Sequence, residues 1–256
     1  EYEIKPGVTP LQFLDQLVAG QVIEYSLTVV EGWTFRQLRQ EIEKHPSLTK
    51  TLINLSDSQL MEKLGWPGEH PEGRFYPDSY HFPKGATDAS FYQRAYRTMQ
   101  DYLDKEWVSR DPNLPLKTPY EALIMASIVE RETAVPSERP TIAGVFLRRL
   151  QAGMKLQTDP TVIYGLGIHF DGNLHRRDLE KDTPYNTYTR TGLPPTPIAL
   201  PSAAAIHAVL HPEQGNALYF VARGDGSHEF TDNLMQHNKA VQKYQVDPHK
   251  PKSHKP

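Results

Sequence analysis

From Ala122 to Val129 the chain reads ALIMASIV, apolar at every position except Ser127. A helix with that pattern has no wide polar face and belongs inside the protein, so the rest of the chain has to wrap it. Its start is marked by Thr118-Pro119-Tyr120-Glu121, in which Thr118 can cap, Pro119 suits the first helical position and Glu121 can complete a capping box. The apolar run stops at Glu130. Helical spacing puts Leu123, Ala126 and Ser127 on the same side as its carboxylate, a small and dry surrounding.

An apolar environment disfavours the charged form of a carboxyl, and a helix C-terminus adds an unfavourable dipole. Such a setting suits Glu130 to general-acid work, of which glycoside cleavage is the commonest use. The same residue can equally be a helix-terminal carboxylate paired with Arg131 or Arg139, or simply solvated, and the residues alone leave that choice open. Glu132 lies two positions further and points away from Glu130 on a helix, so it is not expected to be its catalytic partner.

Around this helix the pattern predicts an α+β protein. Tyr2–Lys5 alternate as a strand, Leu11, Leu14 and Leu17 give a helix stopped at Gly20, and 24–30 form a second strand. Thr34 caps a helix with Phe35, Leu38 and Ile42 on one face, and 46–65 form a polar, helical connection. EGRFYPDSYHFP, 72–83, interleaves aromatics with turn residues and suits a groove wall rather than a regular element. Helices follow at 90–108 and from Ser137 and Pro140 to Gly153. Beyond them, 203–210 form a short helix, 217–222 and 228–230 a hairpin, and 233–244 a last helix. The domains expected are a small unit at 1–49, a mainly helical one with peripheral β structure at 50–246, and a disordered tail at 247–256.

The loops 154–167 and 183–202 mix amides, hydroxyls, Tyr and Pro, which offers donors and acceptors to a hydroxyl-rich ligand on a stiffened backbone. Turn chemistry alone accounts for Asp159-Pro160 and Pro194-Pro195 equally well. With 28 basic and 31 acidic residues there is no electrostatic footprint for nucleic acid. The absence of Cys removes thiol catalysis and thiolate metal sites. His207 and His211 are spaced i, i+4 but lack the Glu of HExxH, no P-loop or dinucleotide pattern occurs, and Ser127 is not in a G-x-S-x-G turn. No metal or cofactor is expected, and no apolar run reaches the length of a membrane span.

Five stretches then carry a resemblance: MASIVERET (125–133), LQTDPTVIYG (156–165), YNTYTRTGLPP (185–195), YFVARGDGSHEF (219–230) and HNKAV (237–241), with EGWTF and EGRFYPDSY upstream. Together they resemble the endolytic murein transglycosylases, or YceG-like proteins. The resemblance implies lytic cleavage between N-acetylmuramic acid and N-acetylglucosamine in peptidoglycan glycan strands. Glu130 would act as acid and then as base, leaving 1,6-anhydromuramyl ends. Gln157, Thr158, Asp159, Tyr164, Asn186 and Tyr188 are the expected substrate contacts. The resemblance also implies a LysM-like module at the N-terminus, truncated because only a strand–helix portion and a strand precede EGWTF. It places the protein at the periplasmic face of the inner membrane, through an upstream anchor absent from this chain, among proteins of peptidoglycan synthesis. The other readings are a non-catalytic glycan-binding or scaffold protein of the cell-wall machinery, and a hydrolysing muramidase.

Overall fold

The computed structural model describes residues 1–20 and 22–246; the expected tail at 247–256 lies outside the described residues. In chain order the structure runs α1 (Pro10–Val18), β1 (Glu24–Thr28), α2 (Phe35–Lys44), α3 (Asp57–Leu64), β2 (Ser79–Pro83), α4 (Asp88–Ser109) and α5 (Pro119–Glu132). It continues with α6 (Arg139–Gln151), α7 (Asp159–Leu166), α8 (Arg176–Glu180), α9 (Ala203–Leu210), β3 (Tyr219–Ala222), β4 (His228–Thr231) and α10 (Leu234–Val241). This mixture of helices with two small sheets is α+β. Among the described residues no helix is long and apolar enough to cross a membrane.

The apolar helix is α5, and it is the axis of the larger core. Ala122 to Val129 are all buried, packed by Met99 and Leu103 of α4, Ile142, Ala143 and Phe146 of α6, and Ala205, Ile206 and Val209 of α9. Thr118 caps it, accepting the Glu121 N–H at 3.2 Å. The Glu121 carboxylate turns instead to the N–H of Lys117 at 2.5 Å, so the reciprocal half of the capping box goes one residue upstream. Ser127, the one polar residue of the run, donates to the Ile124 carbonyl at 2.7 Å and accepts the Ile198 N–H at 2.9 Å. Its hydroxyl therefore has both partners that a buried hydroxyl needs, and it ties the 196–200 loop to the central helix.

A second core gathers Phe35, Leu38 and Ile42 of α2, Leu60, Met61 and Leu64 of α3, Phe75, and Phe91, Tyr92, Ala95 and Tyr96 of α4, with Leu200 inserted from far along the chain. Its sheet pairs β1 with β2 antiparallel, Glu24 opposite Pro83 through Thr28 opposite Ser79, so the strand partner of the N-terminal unit comes from well beyond position 49. The stretch 79–83, expected to be irregular, is thus a strand whose Tyr80 and Phe82 point inward. Tyr2–Lys5, expected as a strand, form none, and of the 46–65 stretch only α3 is helical. Gly73, at φ +79°, lies so close to Pro197 that a Cβ would stand 2.4 Å from the Pro197 Cβ. Only glycine fits there, and the contact seats the second core against the 196–200 loop. Gly32 N–H to Leu200 O (2.8 Å) and Leu200 N–H to Trp33 O (2.6 Å) complete that junction.

Candidate active site

Two carboxylates leave the last turn of α5 on different sides. Glu130, its side chain 6% exposed, faces the N-terminus of α9. Its Oε2 accepts from the Ser202 N–H at 2.9 Å and the Ser202 hydroxyl at 2.5 Å, and Arg139 Nη2 approaches its Oε1 at 3.4 Å. Ser202 caps α9, accepting the Ala205 N–H at 3.1 Å, so Glu130 sits at the positive end of that helix. Arg131, next to it, donates to the Gly32 carbonyl at 3.3 Å, which brings the loop before α2 over the same end of α5. The dry apolar surrounding expected for Glu130 is not what it has: three donors converge on it, because the chain that returns at 200–202 is polar and presents a helix start.

Glu132 turns the other way, to the wall of an open cavity of about 580 Å³. Thr158 donates its hydroxyl to Glu132 Oε2 at 2.7 Å. Thr158 stands at the N-cap position of α7 without capping it, since its hydroxyl is used for the carboxylate instead. Burial of the carboxyl group holds it above the usual carboxylate range, opposing the Thr158 hydrogen bond, with Asp159 adding to the rise and His228 and Arg149 working against it. The cavity is mixed: Gln157, Asp159, Tyr188, His228, His237 and Asn238 face it with polar groups, and Leu156, Phe220, Val221 and Leu234 supply apolar wall. Its volume is in the range of small-ligand sites.

The walls are fixed by Arg149, 8% exposed, whose guanidinium donates to the carbonyls of Leu156 (2.8 Å) and Leu218 (2.6 Å) and lies 5.0 Å from the Tyr219 ring centroid. One side chain of α6 thereby joins the 155–157 loop to the strand β3. Gln157 is held at φ +53°, a left-handed conformation uncommon outside glycine, with its N–H on the Thr187 carbonyl at 3.1 Å. Non-glycine residues in that region persist where their surroundings fix them, and they concentrate at functional sites. Tyr188 donates to Asp159 Oδ1 at 2.5 Å, and His228 sits 2.7 Å from Glu138 Oε2, which orients its ring.

The expected contacts therefore divide. Gln157, Asp159 and Tyr188 line the Glu132 cavity, and Thr158 reaches its carboxylate. Asn186 is 1% exposed, and its amide donates to the carbonyls of Asp178, Leu179 and Lys181 while its Oδ1 accepts the Tyr188 N–H at 2.8 Å. Expected as a substrate contact, it has its amide engaged by the protein itself and holds the loop that carries Tyr188. Tyr164 lines a different cavity, of about 660 Å³, between α2 and α7, where its hydroxyl donates to Glu72 Oε2 at 3.0 Å. Glu72 also accepts the Phe35 N–H at 2.8 Å, and burial pushes its carboxyl up to about 7. Sequence reasoning set Glu132 aside because it points away from Glu130. It does, but the cavity is on its side, and every one of the five motif stretches contributes a residue to that cavity.

Fold and site together define an α+β protein built around a buried carboxyl group at the wall of an open cavity. The chain belongs to the YceG-like family, whose model matches residues 1–243. It is 33% identical over 260 residues to a Bacillus subtilis protein named endolytic murein transglycosylase, covering 95% of this chain and 72% of that one. A Streptococcus pneumoniae protein of the same name is 30% identical over 94% of this chain, and the chain spans about half (49%) of its length. The crystal structure of a yceG-like protein from Listeria monocytogenes matches with a TM-score of 0.68 at 30% identity, over 93% of this chain and 83% of the other.

Proposed function

We propose that the chain is a lytic murein transglycosylase acting within peptidoglycan glycan strands, with Glu132 as the acid and then the base. The observation that carries this reading is the convergence of all five motif stretches on the cavity that Glu132 lines. The names of the relatives supply the substrate. Its compartment is the cell envelope, where murein lies, and the LysM-like character of 1–49 belongs to the same proposal.

A buried carboxyl group held above the ordinary range gives up its proton less readily than a free one, which suits it to act as an acid. In this reading it protonates the glycosidic oxygen between N-acetylmuramic acid and N-acetylglucosamine as that bond breaks. The resulting carboxylate takes the proton of the muramyl C6 hydroxyl as that oxygen bonds to C1, closing a 1,6-anhydro ring and restoring the acid. An intramolecular hydroxyl has the effective concentration to compete with water. Glu130, engaged by Ser202 and Arg139, is the support of the α5 terminus rather than the proton carrier.

The hydrolysing alternative has a specific foothold, because Asp159 shares the cavity with Glu132 and a muramidase needs a second carboxylate. The Asp159 oxygen facing Tyr188 is occupied by that hydroxyl, which favours a positioning role. Digestion of purified peptidoglycan in ¹⁸O-labelled water, read by mass spectrometry, decides between them. The expected products are 1,6-anhydromuramyl ends without label; labelled reducing muramic ends would make the protein a hydrolase and Asp159 its second carboxylate.

A further inference from the structure

His207 and His211 sit one turn apart at the C-terminal end of α9, their ring centroids 4.4 Å apart. The spacing alone was a weak metal signal because a third ligand was missing from the sequence pattern. The structure supplies one from another element: Glu106 of α4, the helix packed beside α9, places Oε2 2.8 Å from His207 Nδ1 and 3.7 Å from His211 Nε2. One ligand atom from each of the three residues lies within 4.8 Å of the others.

We propose that Glu106, His207 and His211 bind a zinc-class divalent ion that clamps α4 to α9. A tetrahedral zinc with bonds of about 2.0–2.1 Å sets its ligand atoms roughly 3.4 Å apart. The two Glu106 distances bracket that value, and all three ligand atoms lie within 4.8 Å, so the adjustment needed is of the size that side chains can make. Two imidazoles and a carboxylate are a zinc donor set; magnesium and calcium prefer all-oxygen shells. The Ser109 hydroxyl, 3.5 Å from His211 Nε2, lies at the edge of the site, and water can fill the fourth position. Glu106 is the more enclosed ligand and His207 the exposed one, so the carboxylate is fixed by its surroundings while solvent reaches the site through the His207 side.

The placement gives the ion a structural consequence. The same short helix carries Ser202 at its other end, with Glu130 on it. An ion joining α9 to α4 restrains the helix from which the Glu130 contacts are built, and it lies outside the cavity that holds Glu132. The inference stands on the three ligands and does not depend on the glycan-cleaving reading.

The competing account is an ordinary Glu106–His207 ion pair with His211 a bystander. Calorimetric titration of the full chain, free of any affinity tag, with zinc chloride separates them. The expected result is one ion bound at micromolar affinity or tighter, weakened at least about tenfold in each of His207→Ala, His211→Ala and Glu106→Gln, since even loss of a partner outside the ligand shell costs 10–100-fold. Cobalt(II) should give the intense visible absorption of tetrahedral coordination in the wild type and lose it in His207→Ala/His211→Ala. The melting temperature should rise with zinc, fall back with EDTA, and not respond to magnesium. Zinc affinity unchanged in the double variant, or a melting shift of equal size in it, would overturn the proposal by placing the ion on other histidines such as His249 and His254.

Discussion

Glu130 and Glu132 are separated by one residue on one helix, yet their surroundings differ in kind. Glu130 meets the Ser202 N–H and the Ser202 hydroxyl at Oε2 and Arg139 at Oε1, so both of its oxygens have protein donors. Glu132 meets one threonine hydroxyl and an open cavity. Both are buried, so burial does not separate them. What does is how far the protein itself satisfies the carboxylate: one with donors on both oxygens is suited to holding structure, and one left partly open at a cavity wall to exchanging a proton with a ligand.

The largest expected effect tests that distinction directly. Glu132→Gln keeps the shape and the Thr158 contact but cannot deliver a proton, and should lower glycan-strand cleavage by about 10² to 10⁴, the usual range for a general acid. Glu130→Gln should stay within about tenfold, the rate equivalent of 1.4 kcal/mol, while melting earlier. Muropeptide release from purified murein measures both; the opposite pattern, a dead Glu130→Gln beside an active Glu132→Gln, would move the acid to Glu130.

Glu72 sharpens the comparison, because it is buried like Glu132 but held by a helix-start N–H, as Glu130 is. Burial pushes its folded carboxyl up to about 7, from the 4.5 of an ordinary glutamate. Between those values the folded state holds a proton that the unfolded state lacks, so stability falls as pH rises through that window and is greatest below it. The total is on the order of 3 kcal/mol. Urea unfolding at pH 4.5 and pH 7.5 should show the loss in the wild type and a smaller one in Glu72→Gln; equal slopes in the two proteins would remove Glu72 as the cause. The smallest effect belongs to Ser202→Ala, which removes the α9 cap and one donor to Glu130 and should cost about 1–2 kcal/mol in the same assay. No loss of stability there would mean that Glu130 is not a structural carboxylate.

Local signals were legible in the sequence where they were self-contained. The apolar run, Thr118 and Pro119 specified α5, and Thr34 marks the start of α2. β2 was not, because SYHFP lies between Pro77-Asp78 and Lys84-Gly85, turn residues that mask its alternation, and its partner lies far back at 24–28. Gln157, Asp159 and Tyr188 line one cavity, but composition could not distinguish them from Asn186, whose amide is spent on three carbonyls. The sequence sets Glu132 aside as a partner of Glu130 for a geometric reason. Helical periodicity tells which way a side chain points, and only the tertiary return of 156–159, 188, 219–222 and 237–238 tells what stands there.

The junction at Leu200 has a consequence in time. Contacts distant in sequence form only after the entropy of closing their loop has been met. On a growing chain the α2–α4 unit can pair β1 with β2 once residue 83 has emerged, but Gly32 and Trp33 wait for Leu200, and Glu130 waits for Ser202. The order of synthesis therefore finishes the Glu130 end of α5 after the N-terminal unit has formed. A ribosome-bound chain halted before residue 200 is expected to leave Trp33 more accessible to a fluorescence quencher than one halted beyond it.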